Sequence, residues 1–74
     1  MSVKLNKDQL AVLRVIADGE HDEETLAFLF QTTHSGMARR LVWLSARNLV
    51  YRHVSEGTVW LTDEGRAAAL RTEE

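Results

Sequence analysis

Three histidines and eleven carboxylates are the side chains of this 74-residue chain that could carry acid–base or metal chemistry, and their spacing argues against both. His21, His34 and His53 fall on three different expected elements, and none is matched with a serine or aspartate in a recognisable nucleophile motif. The densest donor group is His21, Asp22 and Glu24. Neighbours at i and i+1 on a helix do not face one ligand, so this group reads as helix capping rather than as a metal site. Cysteine is absent, which excludes disulfides and thiolate zinc sites. Gly57 and Gly65 do not make a phosphate loop. The expectation is a protein that is not an enzyme and holds neither metal nor cofactor.

What remains is recognition by arginine and short polar side chains. Thr33 can cap a helix that runs to Asn48, because its hydroxyl can accept a bond from a backbone N–H left unpaired at the helix start. Met37, Leu41 and Leu44 recur at helical spacing and form its inward stripe. His34, Ser35, Ala38 and Arg39 share another side, short-chained and polar with one long cation. Such a side suits a duplex groove: small residues permit close approach, while Arg39 reaches a guanine edge or a phosphate. Arg40, Arg47 and Arg52 lie on the same helix or the strand after it, and Lys4, Lys7 and Arg14 on or near the first helix. Arg40 and Arg47 can equally pair with acids or lie over core leucines. The formal charge of −2 works against a polyanionic partner, although the acids collect elsewhere, between Asp18 and Glu24.

The elements that must position these side chains can be read in order. Asn6 and Gln9 form a capping box for a first helix, with Leu5 and Leu10 as its hydrophobic staple and Gly19 as its stop. Val12 and Val15 lie off the stripe of Leu10, Leu13, Ile16 and Ala17, so this helix has a second face for another helix or a partner to cover. Asp22 caps a second helix whose inward residues are Leu26, Ala27 and Phe30, and Gln31 and Thr32 turn the chain into the third. After Asn48 the period changes to two: Val50, Arg52 and Val54 alternate with Tyr51 and His53 up to the turn at Ser55-Glu56-Gly57. With Glu56-Gly57 as a two-residue loop, Val54 lies opposite Val59 and His53 opposite Trp60. Thr62 or Asp63 then caps a last helix that offers Ala67, Ala68 and Leu70 for packing, and the tail from Arg71 frays. The fold class is α+β, in one domain over residues 1–74 with a core from about 7 to 71. No linker divides it, no apolar run approaches the ~20 residues of a membrane span, and the N-terminus does not read as a signal peptide, so a cytoplasmic protein without membrane contact is expected.

The run Leu26-Ala27, Phe30, Thr32 to Leu41, Leu44, Asn48-Leu49-Val50 and finally Leu61-Thr62-Asp63-Glu64-Gly65-Arg66 resembles the winged helix repressors of the MarR and PadR type, over roughly residues 7 to 71. The resemblance implies a winged helix, a helix-turn-helix core of three helices, then a two-stranded wing and a C-terminal helix. It further implies a small transcriptional regulator that binds double-stranded DNA with the third helix in the major groove. By this likeness Thr33, His34, Ser35, Ala38, Arg39, Arg40 and Arg52 are the DNA contacts, with the wing from His53 to Thr58 near the phosphates. The chain departs from the pattern where Gln31 replaces the usual turn glycine and Thr32 the usual small aliphatic, which points to a turn of different build. It departs again in a short wing tipped by Glu56. Phe28, Leu29, Val42 and Trp43 stand where such families commonly carry polar residues, and four large apolar groups on a surface call for a cover. That cover is either a second copy, giving a homodimer, or a different protein, in which case the domain is a winged helix interaction module that does not bind DNA. Trp43 reads as an outward interface anchor and Trp60 as core material.

Overall fold

Each expected helix start is closed by a side chain that the sequence offered for it. In the computed structural model, which describes residues 4–70, Asn6 Oδ1 accepts from the Gln9 N–H at 2.8 Å. Gln9 Oε1 accepts from the Asn6 N–H at 3.0 Å, which completes the capping box of α1 (Lys7–Ala17). Asp22 accepts from both the backbone N–H and the hydroxyl of Thr25 at 2.9 Å, and α2 (Glu23–Leu29) follows. Thr33 Oγ1 accepts from the Gly36 N–H at 2.9 Å and starts α3 (His34–Ala46). Before α4 (Asp63–Leu70) the choice falls on Thr62, whose Oγ1 accepts from the Gly65 N–H at 2.9 Å. Gly19 at φ 115° and Asn48 at φ 62° end α1 and α3 in the left-handed region, as their residue types predict.

The apolar stripes of α1, α2 and α3 meet in one core. Leu13, Ile16, Leu26, Met37, Leu41 and Leu44 are all fully buried. A buried leucine contributes about 1.5–3 kcal/mol relative to an exposed one, so this cluster is the main favourable contribution in so short a chain. Val12, off the main stripe of α1, is fully buried too, because α1 packs against α4 on one side and the sheet on the other. Leu5 lies partly buried against the core, and Leu10 is buried.

The sheet is a two-stranded antiparallel hairpin, β1 (Val50–His53) and β2 (Thr58–Leu61). Its register corrects the expected one: Tyr51 faces Trp60, Arg52 faces Val59 and His53 faces Thr58. Val54 to Glu56 form a single 3₁₀ turn instead of strand, and Gly57 closes it at φ 68°. The reason is local. A two-residue loop of Glu56 and Gly57 would need Glu56 itself at positive φ or a glycine at the first loop position, whereas the longer connection needs only one left-handed residue, and that residue is glycine. The shift of two residues keeps the paired side chains, 50–53 and 58–61, on the faces their alternation assigns, whereas Val54 leaves the strand and is exposed. The segment before α2 joins the edge of β2 through a bridge between Asp22 and Thr58, with Val59 N–H donating to the His21 carbonyl and Glu23 N–H to the Gly57 carbonyl, both at 2.9 Å.

The stretch Leu61-Thr62-Asp63-Glu64-Gly65 ties the hairpin shut. Thr62 N–H donates to the Leu49 carbonyl at 3.1 Å, and its hydroxyl donates to the Asn48 carbonyl at 2.6 Å while capping α4. Gly65 lies so close to the Leu49 carbonyl that a Cβ there would collide with it. Threonine and glycine at this spacing therefore join the end of α3 to the start of α4. No helix among the described residues is long and apolar enough to cross a membrane.

Candidate nucleic-acid interface

Burial of Met37, Leu41 and Leu44 fixes the rotation of α3 about its axis and so decides which side chains it presents. Thr33, His34, Ser35 and Arg39 are exposed, and Ala38 and Arg40 are half-buried. Thirteen residues give α3 a length of about 20 Å, enough to lie along a duplex groove. The residues expected to share a polar side are brought together, with Thr33 Oγ1 already engaged as the cap. The turn before α3 is held by Thr32 N–H donating to the Ala27 carbonyl at 2.9 Å. Gln31 takes the left-handed conformation itself, at φ 54°, where glycine would be free of strain. Gly36 lets the first turn of α3 pass close to the side chains of Thr32 and Thr33, which a Cβ would strike.

Arg52 stands elsewhere. Its guanidinium is turned inward, Nε donating to Glu23 Oε2 at 2.8 Å and Nη2 to Glu23 Oε1 at 3.0 Å. The Glu23 side chain is 3 % exposed, so this is a bidentate pair at the edge of the core and not a free cation, and Arg52 leaves the expected contact set. The cause is the pleat: Arg52 shares its face with the buried Val50 and lies opposite the buried Val59. The hydrogen bonds to Glu23 raise the ionisation of Arg52 above its ordinary value and outweigh the burial that opposes them. His34 Nε2 stands 3.9 Å from Glu23 Oε1, so the carboxylate faces both the hairpin and α3. Glu23, Arg52, His34, Ser35 and Ala38 line a groove of about 270 Å³ between them. Sequence reasoning counted Glu23 among the acids collected between Asp18 and Glu24. The alternation that places Arg52 beside Val50 was the available signal that this arginine points in and needs an acid.

Thr25 holds the Asp22 carboxyl below the usual carboxylate range, chiefly through its backbone N–H and then its hydroxyl, with a smaller attraction from His34. The apolar set divides. Phe28 is 80 % exposed, and Leu29 and Val42 are exposed as well. Trp43 is half-buried against the core, and the Arg47 guanidinium lies 3.5 Å over its ring while Nη1 donates to the Trp43 carbonyl at 3.0 Å. This corrects the reading of Trp43 as an outward anchor: Arg47, one turn on, covers it by a cation–π contact. Trp60 is the more exposed tryptophan and stacks on His21 with 3.7 Å between ring centroids, so the expected places of the two are exchanged. Among the described residues no group of three or more histidines and acids is placed to hold a metal ion. No family model matches the chain, and no curated protein or solved structure matches it.

Proposed function

We propose that the chain is a winged helix domain that binds double-stranded DNA, with α3 in the major groove and β1, β2 and the turn between them as the wing. The observation that carries this reading is the polar side of α3, exposed at Ser35 and Arg39 and held at a fixed rotation by three buried residues behind it. Arg39 reads a base edge or phosphate, His34, Ser35 and Ala38 permit close approach, Thr33 shapes the helix start and Arg40 reaches the backbone. Arg52 acts at one remove, as a positioning residue that sets the wing against α2 through Glu23. The role is that of a small transcriptional regulator in the cytoplasm, working as a homodimer whose two α3 helices would stand about 34 Å apart on a palindromic site.

The test is a titration of fluorescent random duplex DNA at ~50 and ~200 mM salt, with the sedimentation mass measured in parallel. Affinity should fall as salt rises, and Arg39→Ala should lose about 1–3 kcal/mol of discrimination on a selected sequence. Duplex binding by Arg39→Ala equal to that of the parent would defeat the site assignment. The exposure of Phe28, Leu29 and Val42 favours a second reading, a protein-interaction module that does not bind DNA. Under that reading Phe28→Ser abolishes association and the parent shows no duplex binding even at low salt.

A further inference from the structure

The outer face of the hairpin has no covering layer among the described residues. Cross-strand pairing sets Tyr51 beside Trp60, and His53, two residues along β1, meets the Tyr51 ring edge-on at 5.7 Å between centroids. His21 stacks on Trp60 from the adjoining segment, its Nδ1 donating to the Val59 carbonyl at 3.0 Å, which locks the imidazole in place. Four rings thus stand on one side of the sheet, three of them exposed and His21 half-buried. The opposite face, with Val50, Val59 and Leu61, is buried in the core.

Charge decides what such a face can take. The segments that build and edge it, residues 18–24 and 50–61, carry one arginine and, besides the buried Glu23, five carboxylates. That arginine is Arg52, which points to the other face and is consumed by Glu23. Glu20 and Asp22 flank the stacked His21 in sequence, with Glu20 Oε2 accepting from the Asp22 N–H at 3.2 Å, and Glu56 stands at the hairpin tip. A phosphate backbone would meet uncompensated acid here. Guanidinium groups would stack on the aromatic rings and pair with the flanking carboxylates, two interactions that act together in a water-exposed setting.

We propose that this face is a docking surface for an arginine-rich peptide segment of a partner protein, separate from α3 and independent of whether α3 binds DNA. The test uses the two indole N–H resonances of ¹⁵N-labelled protein, of which Trp60 stands in the aromatic cluster and Trp43 on α3 beneath Arg47. Titration with a peptide of alternating arginine and glycine should shift the Trp60 resonance saturably, leave that of Trp43 in place and weaken with salt. Tyr51→Ala should reduce the affinity by about tenfold. Glu56→Lys changes only an exposed tip residue, so it tests the charge requirement without threatening the fold, and it should weaken binding as well. The proposal is overturned if no saturable shift develops up to about 1 mM peptide, or if a glutamate–glycine peptide or an oligothymidylate binds as well. It is overturned equally if Glu56→Lys and a folded Tyr51→Ala bind like the parent.

Discussion

A carboxylate as buried as that of Glu23 is tolerable only with a matched partner, and Arg52 supplies both charge and bidentate geometry. Removing one side strands the other, so Arg52→Ala should destabilise the fold by about 3 kcal/mol, read as a lower urea midpoint. An effect on stability at least as large as any effect on DNA affinity would mark Arg52 as a positioning residue. Gln31 offers the opposite sign. Its left-handed backbone is relieved by Gln31→Gly, which should raise stability by about 0.5–1 kcal/mol after the added freedom of the unfolded chain is counted. Asp22 sets an acid dependence. Its folded pKa lies below the ordinary 3.8, so its contribution is fully present above that value and is lost as pH falls through the folded value. Asn retains the cap but not the charge, so Asp22→Asn should lose less stability than the parent between pH ~6 and pH ~2, compared by urea midpoints.

At the scale of the element, what the sequence made legible was what a few neighbouring residues decide. Asn6, Asp22, Thr33 and Thr62 cap their helices through groups three residues away, and Gly19 and Asn48 end theirs by backbone preference alone. The hairpin was legible as a hairpin because alternation is local. Its register was not, since a two-residue and a four-residue connection leave the same side chains on the same faces. The Glu23–Arg52 pair spans 29 positions, and the exchange between Trp43 and Trp60 depends on Arg47 and on a histidine from another segment. On the candidate interface, the outward side of α3 followed from its apolar period, whereas the loss of Arg52 from it required the packing of three elements. The Thr62 to Gly65 stretch was legible as a pattern, and its physical reason is the contact with Leu49. Gly65→Ala should therefore cost about 3 kcal/mol, because the obstacle is backbone and cannot swing aside.

For the whole molecule, charge and surface set how a duplex would be held. The net charge of −2 and the inward turn of Arg52 leave Arg39 and the half-buried Arg40 as the cations that α3 offers beside its polar side. On the proposed reading, log affinity against log salt should have a slope of about −2 per domain, shallow for a DNA-binding protein and doubled in a dimer. A much steeper slope would require phosphate contacts from cations beyond Arg39 and Arg40, such as Lys7 on α1, and so a different or wider docking face. The clasp at Thr62 bears on how such a protein can change. Its hydroxyl grips the Asn48 carbonyl 14 positions back, so the hairpin leaves and rejoins the helical body at one pinned gate. Loop-closure entropy rises only with the logarithm of length, about 0.6 kcal/mol for each doubling. Insertions between Ser55 and Glu56 can thus lengthen the exposed tip and alter what it touches, while Val50, Val59 and Leu61 stay in the core and the helical body keeps its packing.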